Sequence, residues 1–343
     1  MVGQVRAKTG KRSQDKDKGK GLVSPSGHKI IKAALSDDVS VAELGDLASR
    51  DPAFSVRILS VANSALYSRG RNIQTVAHAS SLLGVRGLRN VALAMLVTDF
   101  VPAAEGASVL LGNCLRRAIC ARELASRTNV ALPEDAFFSG LLLEVGLLQQ
   151  ACDEFDDCVI AARTPGRHRV IQERAMGLTP HPVKGAELAQ ELGLPENMIL
   201  AIQNHHQPQA PEEGVGKICW VAELVASTLE EGLSTHAQLA AEAALRQLGL
   251  GPAALTEILH AVGPEVAGLA AALNSPAGPL SHPPGPRGTE EELEELFMRY
   301  DELMRVVEKL MNERDILERE NEQLRLSLAQ TVSGAPSVVT ARK

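Results

Sequence analysis

From residue 29 to residue 274 the apolar side chains return every three or four positions, segment after segment, and no period-two alternation lasts long enough to make a strand. That rhythm restricts the chain to helices packed on helices, an all-α architecture. The punctuation agrees with it. Ser40 can cap VAELGDLASR, Asp51-Pro52 opens a helix with proline in its first turn, and Gly84 separates a segment at 76–83 from one at 85–100. The helix opened at Asp51-Pro52 carries Val56, Leu59 and Val61 toward Leu66. Further helical segments fall at 110–126, 133–150, 168–176, 183–192, 195–205, 215–229, 235–248 and 252–273. Composition says how such helices meet: 45% of residues are apolar, mostly Ala, Leu and Val, and only 3% are aromatic, so packing runs through small side chains.

The helical region ends at SPAGPLSHPPGPRG, residues 275–288, whose five prolines and three glycines exclude both helix and core. Beyond it Leu296, Leu303, Leu310, Leu317 and Leu324 recur every seventh residue. With leucine at d, Val307, Arg314, Asn321 and Leu328 fall at a, the pattern of a coiled coil. Asn321 fits a parallel two-stranded seam, where paired amides fix register at a cost in stability. A basic-zipper DNA-binding reading fails upstream, because TEEELEEL and the Pro-rich linker stand where a basic helix is needed. The chain therefore divides into a basic disordered tail at 1–27, a helical domain at 28–274, a linker at 275–289, a coiled coil at 290–330 and a disordered tail at 331–343.

Charge and cysteines narrow the function classes. The formal net charge is −7, although residues 1–27 carry seven Lys or Arg against Asp15 and Asp17, so the rest is acidic and offers nucleic acid no general field. Five cysteines without a CxxC pair, and no signal peptide, read as reduced thiols of a cytoplasmic protein. Every apolar run is interrupted by charge before it could cross a bilayer. No GxGxxG, Walker A or GxSxG motif is present.

Residues 28–270 carry a set of short motifs in a fixed order. They are Asn63-Ser64, then Leu83-Gly84 leading into Arg86, Arg89 and Asn90, then Ala136-Phe137, Gly140-Leu141-Leu142, His181 before Gly185-Ala186, Leu194-Pro195 and His205-His206. In this the chain resembles the HDOD family, whose members are regarded as regulatory modules of bacterial signal transduction. The resemblance implies an HDOD-like multi-helix domain derived from HD-superfamily hydrolases. Those hydrolases resemble one another in a first His, a His-Asp doublet and a later Asp that hold divalent ions. Here the doublet is Leu143-Glu144, the first His falls near Arg116, and Glu223 stands where the later acid is expected. Leucine has no donor atom and a guanidinium cannot ligate a metal.

The resemblance thus implies a vestigial pocket around Arg116, Glu144, His181, His205, His206 and Glu223, with no catalytic residue, no bound metal and no cofactor. Helical periodicity from Pro195 turns His206 inward and leaves His205 near the edge. Three readings of these histidines stand side by side: buried groups hydrogen-bonded to backbone or Glu144, a metal site built from the three and a Glu, or an anion pocket using Arg116. Asn63, Ser64, Arg71, Arg86, Arg89 and Asn90 read either as an interaction surface or as turn caps and solvated charge. The leading expectation is a non-enzymatic regulatory protein that binds a protein partner and dimerises through its coiled coil. A sensor of a nucleotide second messenger and a surviving phosphohydrolase are the alternatives.

Overall fold

The structure is a computed structural model and describes residues 33, 39–64, 66–67, 72–99, 104, 106–166, 168–230, 235–251 and 253–273, with scattered positions between 305 and 323. Among these residues there is no strand. Helix α1 (Val41–Ser49) starts at Ser40, whose hydroxyl accepts from the Glu43 amide while the Glu43 carboxylate accepts from the Ser40 amide, a reciprocal cap. Helix α2 (Pro52–Ala62) starts where the Asp51 carboxylate accepts from the Phe54 amide at 3.1 Å. Its buried face is Phe54, Ile58, Val61 and Ala62, whereas Val56, which the spacing turns inward, is 56% exposed. Helix α3 (Val76–Asp99) bends at Gly84, whose φ of 66° and ψ of −177° leave helical space where the sequence breaks.

Helix α4 (Ala107–Thr128) forms the centre: every residue from Leu110 to Ala121 is buried. A helix enclosed on all sides must pair any charge it carries, and this one carries Arg116 and Arg117. The segment read as one helix over 133–150 is two, α5 (Pro133–Leu142) and α6 (Val145–Gln150), because Glu144 adopts φ −97° and ψ 3°. Helix α7 (Phe155–Ala162) has no counterpart in the sequence reading. The series continues with α8 (His168–Ala175), α9 (His181–Glu191), α10 (Glu196–Asn204), α11 (Gly214–Glu230), α12 (Thr235–Gln247) and α13 (Ala253–Ala272). Helix α4 packs on α5, α11 and α13, and α9 packs on α6 and α10, so the described helices close around one apolar core.

Two glycines set how tightly this happens. A Cβ on Gly140 would lie 2.7 Å from the Arg117 carbonyl oxygen, and one on Gly146 would lie 2.2 Å from that of His181. The GLLLEVG stretch thus brings α5 against α4 and α6 against the start of α9.

All five cysteines are free, Cys152 alone exposed. No described helix is long and apolar enough to cross a membrane. The tail at 1–27, the linker, the tail at 331–343, and Leu296, Leu303, Asn321 and Leu324 lie outside the described residues, whereas Leu310 and Leu317 are helical and exposed.

Candidate functional site

Six elements converge below α4. Glu144, at the break between α5 and α6, turns its carboxylate toward α4, where Arg117 Nε lies 2.9 Å from its Oε1. From α11 come Glu223 and Glu230. Arg117 bonds Glu223 through Nε and, at 3.0 Å, through Nη2, and it bonds Glu230 Oε1 through Nη1 at 2.6 Å. Arg169, from α8, bonds Glu144 through Nη1 and Glu230 Oε2 through Nη2 at 2.8 Å, and donates to the Thr164 carbonyl at 3.0 Å. Arg116 donates to Asn113 and approaches Glu230 at 3.7 Å. Three guanidiniums meet three carboxylates, and Arg117 and Arg169 are fully enclosed. Such a knot holds only because the forks of Arg117 and Arg169 are matched; removing one charge would strand its partners out of water.

The electrostatics follow. Burial opposes ionisation of Glu144, yet Arg117 and Arg169 hold its pKa at about 2. Glu223 is likewise driven well below the usual carboxylate range: burial opposes, and Arg117 and then His206 outweigh it. Burial works against charge on Arg117 too, but the three glutamates raise its pKa.

The histidines form the other half. His181, first residue of α9, sets its Nδ1 2.6 Å from Glu173 Oε1, while its amide donates to Glu173 Oε2 at 2.7 Å. His205 caps α10 and sets its Nδ1 2.6 Å from the Ile202 carbonyl oxygen. His206 follows in the turn, its Nδ1 3.7 Å from Glu223 Oε1. Since α10 ends at Asn204, the helical face drawn through His206 does not extend that far. His205 is the more enclosed, at 2% exposure, and is not at an edge. Burial and the neighbouring His181 lower the His205 pKa to about 4, and burial with the neighbouring His205 lowers that of His206 well below the usual imidazole value. For His181 burial opposes protonation, but Glu173 and Glu144 prevail and its pKa is raised.

The first His and the doublet His of an HD-type metal set are absent here. Leu143 lies in the core without a donor atom, and a single guanidinium, that of Arg117, grips the carboxylates of both Glu144 and Glu223. The first-His position falls near Arg116 in the sequence, and the guanidinium that grips both carboxylates is that of the next residue. The structure brings together Glu144, Glu223 and the three histidines, and adds Arg117, Arg169, Glu173 and Glu230. One signal for Arg117 was available, an arginine doublet inside an otherwise apolar helix. Arg169 and Glu173, four residues apart on a polar helix, have the spacing of an ordinary solvated ion pair and give no such signal.

The second motif group makes bonds within the domain. The Asn63 amide donates to the Ile73 carbonyl and accepts from its amide, both at 2.7 Å. Ser64 donates to Val61 O at 2.7 Å. Asn90 is buried and donates to the Glu134 carbonyl at 2.9 Å. Arg89 bonds Asp135 at 2.5 Å and stacks over Phe138 at 4.5 Å. Arg86 has a mainly exposed side chain, 3.4 Å from Asp135, and Asn63 is exposed as well. Arg71 lies outside the described residues.

Comparison with known proteins agrees with this architecture. A crystal structure from Shewanella amazonensis SB2B, of a protein proposed to be a phosphohydrolase, is 23% identical with a TM-score of 0.59, covering 73% of this chain and 94% of that one. An HDOD domain protein of unknown function from Geobacter sulfurreducens is 21% identical with a TM-score of 0.55, covering 73% and 92%. An uncharacterised protein of Treponema pallidum (strain Nichols) is 27% identical over 191 residues, 54% of this chain; the match spans 37% of that relative's length. The HDOD domain model matches residues 23–208, more than half of the chain. The chain belongs to the HDOD domain family.

Proposed function

We propose that this protein is a non-enzymatic regulatory module of bacterial signal transduction that works by docking another protein, and that its C-terminal segment pairs two copies in a parallel coiled coil. The observation that carries the reading is the Arg117 knot. Where a hydrolase needs open ligand positions, this domain has a leucine and a guanidinium already matched to carboxylates. The same knot weighs against a nucleotide messenger, because the forks of Arg117 and Arg169 are turned on glutamates and not toward a phosphate. The phosphohydrolase activity proposed for the Shewanella protein is the rival reading, and the missing donor at Leu143 weighs against it here.

The test pairs an assay with a capture. Purified full chain is offered nucleotide phosphomonoesters and phosphodiesters with added Mg or Mn, and no turnover above a buffer control is the expected result. Tagged full chain and residues 1–288 are then compared for partners retained from cells. Turnover that disappears in Glu144→Gln would overturn the non-enzymatic reading. Absence of any partner common to repeated captures would overturn the docking one.

A further inference from the structure

Three imidazoles meet at their Nε2 corners. His181 Nε2 lies 3.0 Å from His205 Nε2 and 3.2 Å from His206 Nε2. The opposite nitrogens of the first two rings are committed. His181 Nδ1 faces a Glu173 carboxylate oxygen and His205 Nδ1 faces the Ile202 carbonyl oxygen, both at 2.6 Å. The Glu173 carboxylate already accepts from the His181 amide on its other oxygen and a carbonyl oxygen only accepts, so each Nδ1 is placed to donate its proton. A neutral imidazole has one proton, and the two Nε2 atoms therefore present lone pairs to each other at hydrogen-bond distance. Lone pairs held so close require a cation between them, either an added proton or a metal ion.

The third ring favours the metal. A proton shared by two nitrogens is satisfied along one line, whereas a metal gathers several donors around one point. A tetrahedral ion with Zn–N bonds of about 2.0–2.1 Å keeps its nitrogens roughly 3.3 Å apart. The observed separations, 3.0 and 3.2 Å, are within a few tenths of an ångström of that. Glu144 supplies a fourth donor: its Oε1 lies 3.8 Å from His181 Nε2, and its Oε2 is buried with no hydrogen-bond partner. One ligand atom from each of the four residues fits within 4.8 Å of all the others. The supporting shell matches as well, since ligating histidines pass their other N–H to a carboxylate or a carbonyl, the roles of Glu173 and Ile202.

We propose that His181, His205, His206 and Glu144 bind one divalent transition-metal ion of the zinc class. The proposal goes beyond the regulatory reading and departs from the expectation of a metal-free domain, which rested on the HD positions. His181 opens α9 and His205 closes α10, so the ion would pin these two helices together.

Full-length protein stripped with a strong chelator is titrated with Co²⁺, followed by visible absorption, and then with Zn²⁺. The expected result is saturation at one equivalent with the intense band of a tetrahedral ion, displaced by one equivalent of Zn²⁺, together with a higher thermal midpoint for the Zn-loaded protein. His206→Ala, at the rim of the cluster, should abolish the band while keeping the helical circular dichroism. Glu173→Gln should weaken binding about tenfold or more. Stoichiometry unchanged in His206→Ala would overturn the proposal. So would ¹⁵N imidazole spectra showing both His181 nitrogens protonated in the presence of excess Zn²⁺, the signature of a proton in place of the ion. Should His206→Ala fail to fold, His206→Gln serves as the second variant with the same reading.

Discussion

Arg117 is the residue on which the interior charge depends, because its fork meets Glu144, Glu223 and Glu230 at once. Arg117→Met keeps most of the apolar stem but leaves these carboxylates short of one cation inside the fold. The variant should lose roughly 3–5 kcal/mol of stability, read from urea denaturation of the metal-free protein. Arg117→Lys should fall between the two, since an ammonium keeps the charge without the planar fork. Legibility at this scale was uneven for a physical reason. Glu144, Glu223 and the histidines could be found because the family order pointed to them. The partners that complete their bonding, Arg169, Glu173 and Glu230, are ordinary charged residues on helices, and only the tertiary approach of α8 and α11 takes them out of water.

Helix boundaries were legible where the chain writes its own stops. Ser40, the Asp51-Pro52 step and Gly84 each act on the backbone within a few residues, and the structure places a cap, a helix start and a bend there. The break at Leu143-Glu144 was not legible, because residues 133–150 keep a helical apolar rhythm across it; what interrupts the helix is the turn that aims Glu144 at α4. The close approach of α6 to α9 was equally hidden, since it depends on what Gly146 lacks. Gly146→Ala would push a methyl group onto the His181 carbonyl, 2.2 Å from where the carbon must sit. It should destabilise the protein by about 3 kcal/mol or more, the upper range for overpacking, measurable as a lower denaturation midpoint. Gly193→Ala, at a turn with open space but a φ of +69°, should cost less and leave α6 and α9 in register.

For the whole molecule the expectation is a dimer held at one end. Deletion after Gly288 should turn a dimer into a monomer by light scattering, with the helical domain still cooperatively folded, because a Pro-rich connection passes little strain between the two parts. A truncated protein that stays dimeric at micromolar concentration would move the interface to the globular body. The family match stops at residue 208, yet Glu223 and Glu230 reach the interior from α11, beyond that point. A fragment cut at the end of the match would keep Arg116, Arg117 and Arg169 around Glu144 and lose two of the three anions that neutralise them. Its interior would be a trapped positive charge. Electroneutrality, and not sequence similarity, thus marks the smallest piece of this chain that can close on itself.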